Sequence, residues 1–285
     1  MITITGSNSF IGKNFINFLN QKKIKKSFLL RKKIKNSKNK SNYYKFSKEQ
    51  KKQTDILIHI SSSSLALLYR KKKFTKQEVL FCIENELDKL LFLIDFYKKN
   101  NIKKFILIIS SSSYGNSKFD KSFNEKDKCN PKDYYSIIKL AVETVAQQIC
   151  KNIIIIRPFQ IYGKFDNPHR LIPTLYNSKK NRNVNLQDCL QVTDILHVDD
   201  FCEAILKICK SKIKNGIFNI GSGRPIKLRT IVETIHKFRN KEFRFTYKKT
   251  KKNKISNYCY SDNSLIQKTF NWKPKISLER GLKKL

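Results

Sequence analysis

The sequence predicts an α/β protein built on a doubly wound parallel sheet with a smaller C-terminal lobe. Two observations predict it. Short apolar runs alternate with longer helical patterns through the first 160 residues, the form of strands joined by crossover helices. Runs such as Ile153-Ile154-Ile155-Ile156 lack polar alternation, as strands covered on both faces do. Taken in order, the candidate strands are Ile2 to Thr5, Ser27 to Leu30, Tyr43 to Phe46, Ile56 to Ile60, Phe105 to Ile109 and Ile153 to Ile156. Helices are expected from about Ile11 to Gln21, Glu78 to Lys99 and Tyr134 to Cys150. Beyond Gly163 the pattern is less regular. There the reading is a loop with Pro168 and Pro173, a helix Asp199 to Lys210, a strand Ile217 to Ile220, and helices Lys227 to Phe238 and Asn263 to Phe270. The expected division is 1–163 for the sheet domain and 164–285 for the lobe, with a segment near 194–221 returning to the sheet. Lys32 to Lys40 reads as a solvated basic loop, and there is no internal repeat.

Composition narrows the function classes. A chain of 285 residues with 40% hydrophobic content, 20 Phe and 12 Tyr is too apolar for a disordered polybasic tail. The formal net charge of +38 comes mostly from lysine; only ten of the 60 basic residues are arginine. Residues with A/T-rich codons dominate, so genome composition accounts for most of the excess. Nucleic acid is not expected as the main partner, because the lysines are spread over the chain and base-reading arginine is scarce. A phosphate-bearing small molecule suits the charge equally well. The seven cysteines contain no C-x-x-C pair, which argues for free thiols in a reducing compartment and for no metal site. No apolar run has the roughly 18 to 20 residues of a membrane span, and Met1 to Gly6 reads as strand and turn, with no leader segment. A soluble cytoplasmic protein is the expectation.

Average usage would place roughly 20 glycines in such a chain, and eight are present. They therefore mark positions where a side chain does not fit. Gly6 and Gly12 bracket the turn after the first strand, within Thr5-Gly6-Ser7-Asn8-Ser9-Phe10-Ile11-Gly12. Strand, glycine turn and helix present backbone amides and a helix N-terminus to a pyrophosphate. Ser9 occupies the middle position of a G-x-x-G-x-x-G spacing.

Motifs in the same order fill the rest of the chain: Asp55-Ile-Leu-Ile-His59, Ser110 to Gly115, Tyr135-Ser-Ile-Ile-Lys139, Arg157 to Gly163, Asp194-Ile-Leu-His-Val-Asp-Asp200, Phe218 to Gly223 and Asn271-Trp-Lys-Pro274. With the opening T-G-x-x-x-F-I-G, this series resembles the extended short-chain dehydrogenase/reductases of the NAD(P)-dependent nucleotide-sugar epimerase/dehydratase family from end to end. The resemblance implies a Rossmann-type doubly wound parallel sheet with a smaller C-terminal substrate-binding lobe.

Y-x-x-x-K alone is uninformative here, since it occurs six times. Tyr135 is singled out by its place 25 residues after Ser110, at the start of a helix that precedes a buried strand. The i, i+4 spacing puts Tyr135 and Lys139 on one helical face. An ammonium there lowers a tyrosine pKa from about 10 toward the working pH. The serine run 110–113 blurs the third member; counting five residues back from Gly115, as the family pattern does, selects Ser110. Ser111 and Ser112 stand where sugar dehydratases of the family carry Asp-Glu, so a 4,6-dehydratase would lack its acid and base.

Other polar residues have plainer readings. Asp199 and Asp200 are expected to cap the helix from Phe201 to Lys210, and His197 to be structural. His59 either lines the cofactor cleft or packs in the core. Trp272 and Pro274 look like packing.

What the resemblance implies for chemistry is hydride exchange between a nicotinamide and a sugar carbon, with Ser110, Tyr135 and Lys139 catalytic. The cofactor would be held by Gly6, Ser7, Asn8, Phe10, Ile11, Gly12, Arg31, Ile60, Ser61 and Asn85 together with Tyr135 and Lys139. Arg31 follows the second strand where NAD-binding members usually carry an acid, and a guanidinium suits a 2′-phosphate. The cofactor is therefore NADP(H) or NAD(H), leaning to NADP(H). The substrate would be a nucleoside-diphosphate sugar, with Ser111 and Gln160 in contact with it. Gln160 replaces the family's asparagine, and Thr193 stands where many epimerases carry arginine. A 4-epimerase and a 4-keto-6-deoxysugar reductase fit equally. The alternative from another class is a non-catalytic member of the fold that binds nucleotide or RNA. No metal and no membrane are expected; a homodimer is usual for the family.

Overall fold

In the computed structural model the described residues are 1–28, 54–60, 74–240, 242–248 and 257–285, with the backbone of 31–33 and 44–46. The chain divides into two units. The first comprises Met1–Ser113, Pro131–Arg157 and Cys209–Ile217; the second comprises Tyr114–Asn130, Pro158–Ile208 and Phe218–Leu285.

The first unit carries the parallel sheet. Its elements are β1 (Ile2–Thr5), α1 (Phe10–Gln21), β2 (Lys26–Phe28), β3 (Arg31–Lys33), β4 (Tyr44–Phe46), β5 (Ile56–His59), α2 (Lys76–Lys99), β6 (Lys104–Ile108), α3 (Tyr134–Ile149) and β7 (Ile153–Pro158). Strand order is β11-β7-β6-β5-β1-β2, where β11 is Gly216–Ile220. Sequence neighbours β1 and β2 are adjacent, and β5 lies on the other side of β1, so the order reverses between β1 and β5. Ligands of open α/β sheets bind at such a reversal, beyond the carboxyl ends of the strands. Leu57, Phe105, Leu107, Ile109, Ile153 and Ile155 join Leu90, Leu93, Ile138 and Val142 in one apolar cluster under α2 and α3. The unbroken apolar runs are thus the covered strands they predict.

Two expectations change here. The stretch Lys32 to Lys40 is not loop throughout, because β3 takes in Lys32 and Lys33 and pairs antiparallel with β4. Tyr44 to Phe46 accordingly forms a strand, but in that two-stranded ribbon and not in the parallel sheet.

The second unit contains β8 (Gln160–Tyr162), α4 (Leu171–Tyr176), β9 (Asn183–Leu186), β10 (Val192–His197), most of α5 (Val198–Lys210), β12 (Pro225–Lys227), α6 (Leu228–Phe238), β13 (Arg244–Tyr247), β14 (Tyr258–Cys259), α7 (Ser264–Phe270) and α8 (Leu278–Leu282). Its sheet order is β12-β10-β14 with β8 against β10, and β9 pairs with β13. The core gathers Leu175, Ile231, Val232, Ile235, Phe243 and Leu282. All seven cysteines are free thiols. Among the described residues, no helix is long and apolar enough to cross a membrane, and no three or more His, Cys, Asp or Glu side chains cluster as metal ligands would.

Candidate active site

The turn after β1 is built by backbone constraints. Gly6 adopts φ +78°, a conformation that costs side-chain-bearing residues energy. A Cβ on Gly12 would overlap the Gly6 carbonyl oxygen, so only glycine lets α1 approach β1 this closely. Ser9 fits without strain at φ −73°. Its hydroxyl donates to the Gly6 carbonyl at 2.7 Å and accepts from the Gly12 amide at 3.1 Å, capping α1. The serine at the middle-glycine position is therefore the N-cap of the helix. In the first turn the Phe10 and Ile11 amides lie ahead of the first intrahelical bonds, where an anion is favoured. Ser7 is half-buried and Asn8 exposed. This cradle fits the pyrophosphate of a dinucleotide.

Ile60 follows β5, and its amide donates to the Thr5 carbonyl at 3.2 Å. It thus sits beside the β1 carboxyl end. His59 is buried, with Nδ1 2.5 Å from the Thr5 hydroxyl across the β1–β5 pair; this contact puts it in the strand framework. Ser61 lies outside the described residues. The Arg31 backbone is in β3, and its side chain lies outside the described atoms. Asn85 is half-buried on α2.

Ser110 follows β6, next to Ile109, whose amide donates to the Ile156 carbonyl at 2.8 Å. Ser111 to Tyr114 form one 3-10 turn. Within the serine run, Ser111 and Ser113 are buried, leaving Ser110 and Ser112 half-exposed. The Ser110 hydroxyl accepts from the Ser112 amide at 3.2 Å and lies 2.9 Å from the Ser112 hydroxyl. Tyr135 is in the first turn of α3, which Asp133 caps by accepting from the Ser136 amide at 2.8 Å. Tyr135 packs on the apolar cluster that contains Ile109 and Leu107. The same cluster gathers Ile138 and Val142 of α3 with Phe105 and Leu107 of β6, the strand that precedes Ser110.

Lys139, one turn on, is buried. Burial pushes its pKa down; the Glu86 carboxylate on α2 opposes the shift, and the Lys89 ammonium adds to it. Glu86 and Lys89 are themselves buried and paired with each other. Sequence reasoning missed this cluster. Its signal was a charge at 86 and another at 89, on the helical face that also carries Cys82, Leu90 and Leu93.

The second unit has a cavity of about 240 Å³ bounded by β8, α4, β10 and α6. Gln160, expected to touch substrate, lines it together with Thr193, Gln191, Asp166 and Arg170. The Gln160 side-chain amide oxygen accepts from Arg170 Nη2 at 2.6 Å. Arg170 was also missed; one arginine before an L-I-P segment carries no spacing signal.

Several motif residues prove to be struts. Asp194 is fully buried and accepts from the Ser222 amide and hydroxyl, both at 2.6 Å, the Gly223 and Ser261 amides, both at 3.1 Å, and the Ser261 hydroxyl. Tyr114 donates to the Asn219 side-chain oxygen at 2.9 Å. His197 stacks edge-on against Tyr162 and accepts from the Asp199 amide at 3.2 Å, while burial lowers its pKa.

Asp199 and Asp200 are not N-caps. The helix α5 begins at Val198, which places both inside its first turn. Asp200 instead accepts from the Lys275 and Ile276 amides at 2.9 Å, and its carbonyl takes the Trp272 indole N–H at 3.0 Å. Asp199 pairs with Lys284. The distant tail needed acceptors, a demand that local sequence does not display.

Comparison with known proteins agrees with this geometry. The model of the NAD dependent epimerase/dehydratase family matches residues 2–221. A UDP-glucuronate 4-epimerase of Thermodesulfobacterium geofontis is 26% identical over 71% of this chain and 64% of its own length. A dTDP-4-dehydro-6-deoxyglucose reductase of Escherichia coli is 27% identical over 72% of this chain and 66% of its own length. The structure of RMD from Pseudomonas aeruginosa complexed with NADPH shares the fold at TM-score 0.81 and 18% identity, covering 99% of this chain and 96% of that one. With the glycine cradle, the Rossmann-type sheet and a family match over most of its length, the chain belongs to the NAD dependent epimerase/dehydratase family.

Proposed function

We propose that this chain is an NAD(P)-dependent oxidoreductase or epimerase acting on a nucleoside-diphosphate sugar, with Ser110, Tyr135 and Lys139 as catalytic residues. One observation carries the reading: the helix bearing Tyr135 and Lys139 shares an apolar cluster with β6, the strand that precedes Ser110, in the unit whose first turn is a glycine cradle. A bound nicotinamide supplies hydride chemistry at the sugar carbon. The chain's own part is to hold the reacting oxygen and move its proton. The Tyr135 hydroxyl exchanges a proton with that oxygen, and the Ser110 hydroxyl hydrogen-bonds it. Lys139 stabilises the phenolate and holds ribose hydroxyls. The Phe10 and Ile11 amides, with Gly6, Ser7, Asn8 and Gly12, take the pyrophosphate. By the family resemblance Ile60, Ser61 and Asn85 would border the cofactor, and Ser111 and Gln160 would each touch the sugar.

Arg31 after the second strand supports NADP(H) over NAD(H). Thr193 in place of a common epimerase arginine, together with the Arg31 signal, supports a 4-keto-6-deoxysugar reductase as strongly as a 4-epimerase. A reductase consumes NADPH stoichiometrically, whereas an epimerase returns the hydride and retains NAD. Assay of a sugar-nucleotide panel with NADH and NADPH separates the two. Tyr135→Phe should abolish turnover while cofactor affinity stays within about twofold, and Ser110→Ala should lower kcat by about 10²-fold. Full turnover in Tyr135→Phe contradicts the assignment. No turnover by the parent, with salt-dependent RNA binding, would instead mark a non-catalytic binding protein.

A further inference from the structure

We propose that the amino-terminal edge of the parallel sheet, the end away from the glycine cradle, is a docking face for the phosphate backbone of double-stranded RNA. This surface is independent of the reaction proposed above. Lysines scattered along the sequence are gathered there by the sheet. Parallel strands receive their preceding turns at one edge, and the strand starts are level: Lys26 lies opposite Ile2, Lys104 opposite Ile56, and Ile153 opposite Phe105. The turns 20–26, 98–103 and 150–152 lead into β2, β6 and β7. A fourth, 210–215, is fixed at the same edge, because the Lys104 ammonium at the start of β6 donates to the Ser211 carbonyl at 2.7 Å and the Cys209 carbonyl at 3.3 Å. Six strands about 4.8 Å apart spread these turns over roughly 24 Å.

The four turns hold eleven lysines and no Asp, Glu or Arg. Ten of these lysines are exposed, and Lys26 is half-buried. The carboxylates next to the turns are already paired: Asp55 with the Met1 ammonium and with Lys103 at 2.8 Å, and Asp95 with Lys99 at 2.6 Å. A lysine-rich composition does not by itself produce this polarity, since the turns that follow β1 and β6 at the other edge, 6–9 and 110–113, carry no charged side chain. Helix dipoles favour a cation in the last turn, which accounts for Lys98, Lys99 and Lys210 alone. Like charges concentrated in this way raise the local potential and attract a polyanion.

The side-chain chemistry favours one partner. Lysine meets phosphate as a point charge. Asn20, Asn100, Asn101, Asn152 and Asn215 are exposed among the lysines, and their amides both donate and accept, as a 2′-hydroxyl does. The turns contain no aromatic residue on which unpaired bases would stack, and no arginine to read base edges. A duplex bound without regard to sequence fits that set. Lipid surfaces are held by an apolar face beside the charge, and here Ile213, 37% exposed, is the only large apolar side chain in the open within the four turns.

Fluorescence anisotropy of the full chain with two RNA duplexes of unrelated sequence, each about 20 base pairs, tests this. Affinities for the two should agree within about twofold, and log K should fall linearly with log salt. Lys25→Gln, Lys98→Gln, Lys151→Gln and Lys212→Gln together, one from each turn, should weaken binding at least about tenfold and flatten the salt slope by roughly three. Lys151→Gln with Lys212→Gln serves if the fourfold variant fails to fold. Lys179→Gln, Lys180→Gln, Lys237→Gln and Lys268→Gln, at four exposed positions of the second unit, should change affinity by less than about twofold. Equal loss in the two sets overturns the assignment to this face, because net charge alone would then govern binding. A parent chain that binds neither duplex at about 50 mM salt overturns it as well. Equal or tighter binding to a DNA duplex of the same sequence, or tighter binding to phosphatidylserine vesicles, overturns the choice of partner.

Discussion

At the scale of single residues, the burial of Lys139 is the feature with the most consequence. An ammonium removed from water is costly unless opposite charge compensates it. Here Glu86 supplies that charge and Lys89 competes for it. Glu86→Gln should therefore let Lys139 lose its proton at lower pH, moving the alkaline limb of the kcat/KM profile downward; an unmoved limb would show that Glu86 does not support the lysine. The linkage has a definite sign. Because the folded pKa lies below the unfolded value, the unfolded chain binds more protons between the two, and Lys139 makes stability rise with pH across that window. Ser9 offers a second test. Ser9→Ala should cost about 1 kcal/mol through loss of the cap, and Ser9→Gly only a few tenths, read from urea unfolding. Equal losses would mean that the hydroxyl is not the cap.

At the scale of elements, α3 is tied to β7 by Arg157 and Glu143, a buried two-point pair with Nε to Oε2 at 3.1 Å and Nη2 on Oε1. Glu143→Ala takes the carboxylate away from a buried guanidinium and should cost about 3–5 kcal/mol, whereas Glu143→Leu with Arg157→Met should cost less, because desolvation of both charges is relieved together. Thermal unfolding of the single and double variants compares them. If the double variant is as unstable as the single, the pair contributes something besides charge compensation. The α1–β1 approach depends on the absence of a Cβ at Gly12. Gly12→Ala should destabilise by about 1–3 kcal/mol through overpacking, and NADPH affinity should fall with it if the cradle binds the cofactor. At Gly221 a Cβ would overlap the Asp194 carboxylate and the Ser261 hydroxyl, so the glycine of N-I-G-S-G is a packing requirement of the Asp194 hub.

At the scale of the whole molecule, α2 and α3 leave large apolar side chains in the open: Leu80, Leu91 and Phe92 on one, Tyr134, Ile137 and Ile149 on the other. Apolar side chains left in water are unfavourable, and we propose these two helices as the contact of the homodimer that the family resemblance implies. Leu91→Lys with Ile137→Lys should shift the sedimentation mass toward the monomer; a parent that already sediments as a monomer removes the proposal. The net charge of +38 should speed encounter with anionic substrates and make that rate fall with salt.

The sequence by itself determined the parallel sheet, because Ile2 to Thr5, Ile56 to Ile60 and Ile153 to Ile156 carry strand chemistry that any partner in that order would bury, and glycine scarcity exposed the cradle at Gly6 and Gly12. It also determined the order of motifs and hence the candidate residues Ser110, Tyr135 and Lys139. Short elements such as β8, β12 and β14 escaped it, since two or three residues hold no period. Only the tertiary structure decided what residues outside the proposed catalytic set do: that Asp194 gathers five donors from two distant loops, that Asp200 accepts from the distant segment 272–276 and not from its own helix, that Glu86 and Lys89 are buried, and that Arg170 lines a cavity. The Asp194 and Asp200 contacts depend on groups far apart along the chain meeting where water is excluded. Local residue chemistry prescribes conformation, but the satisfaction of a buried charge is fixed only once its neighbours are in place.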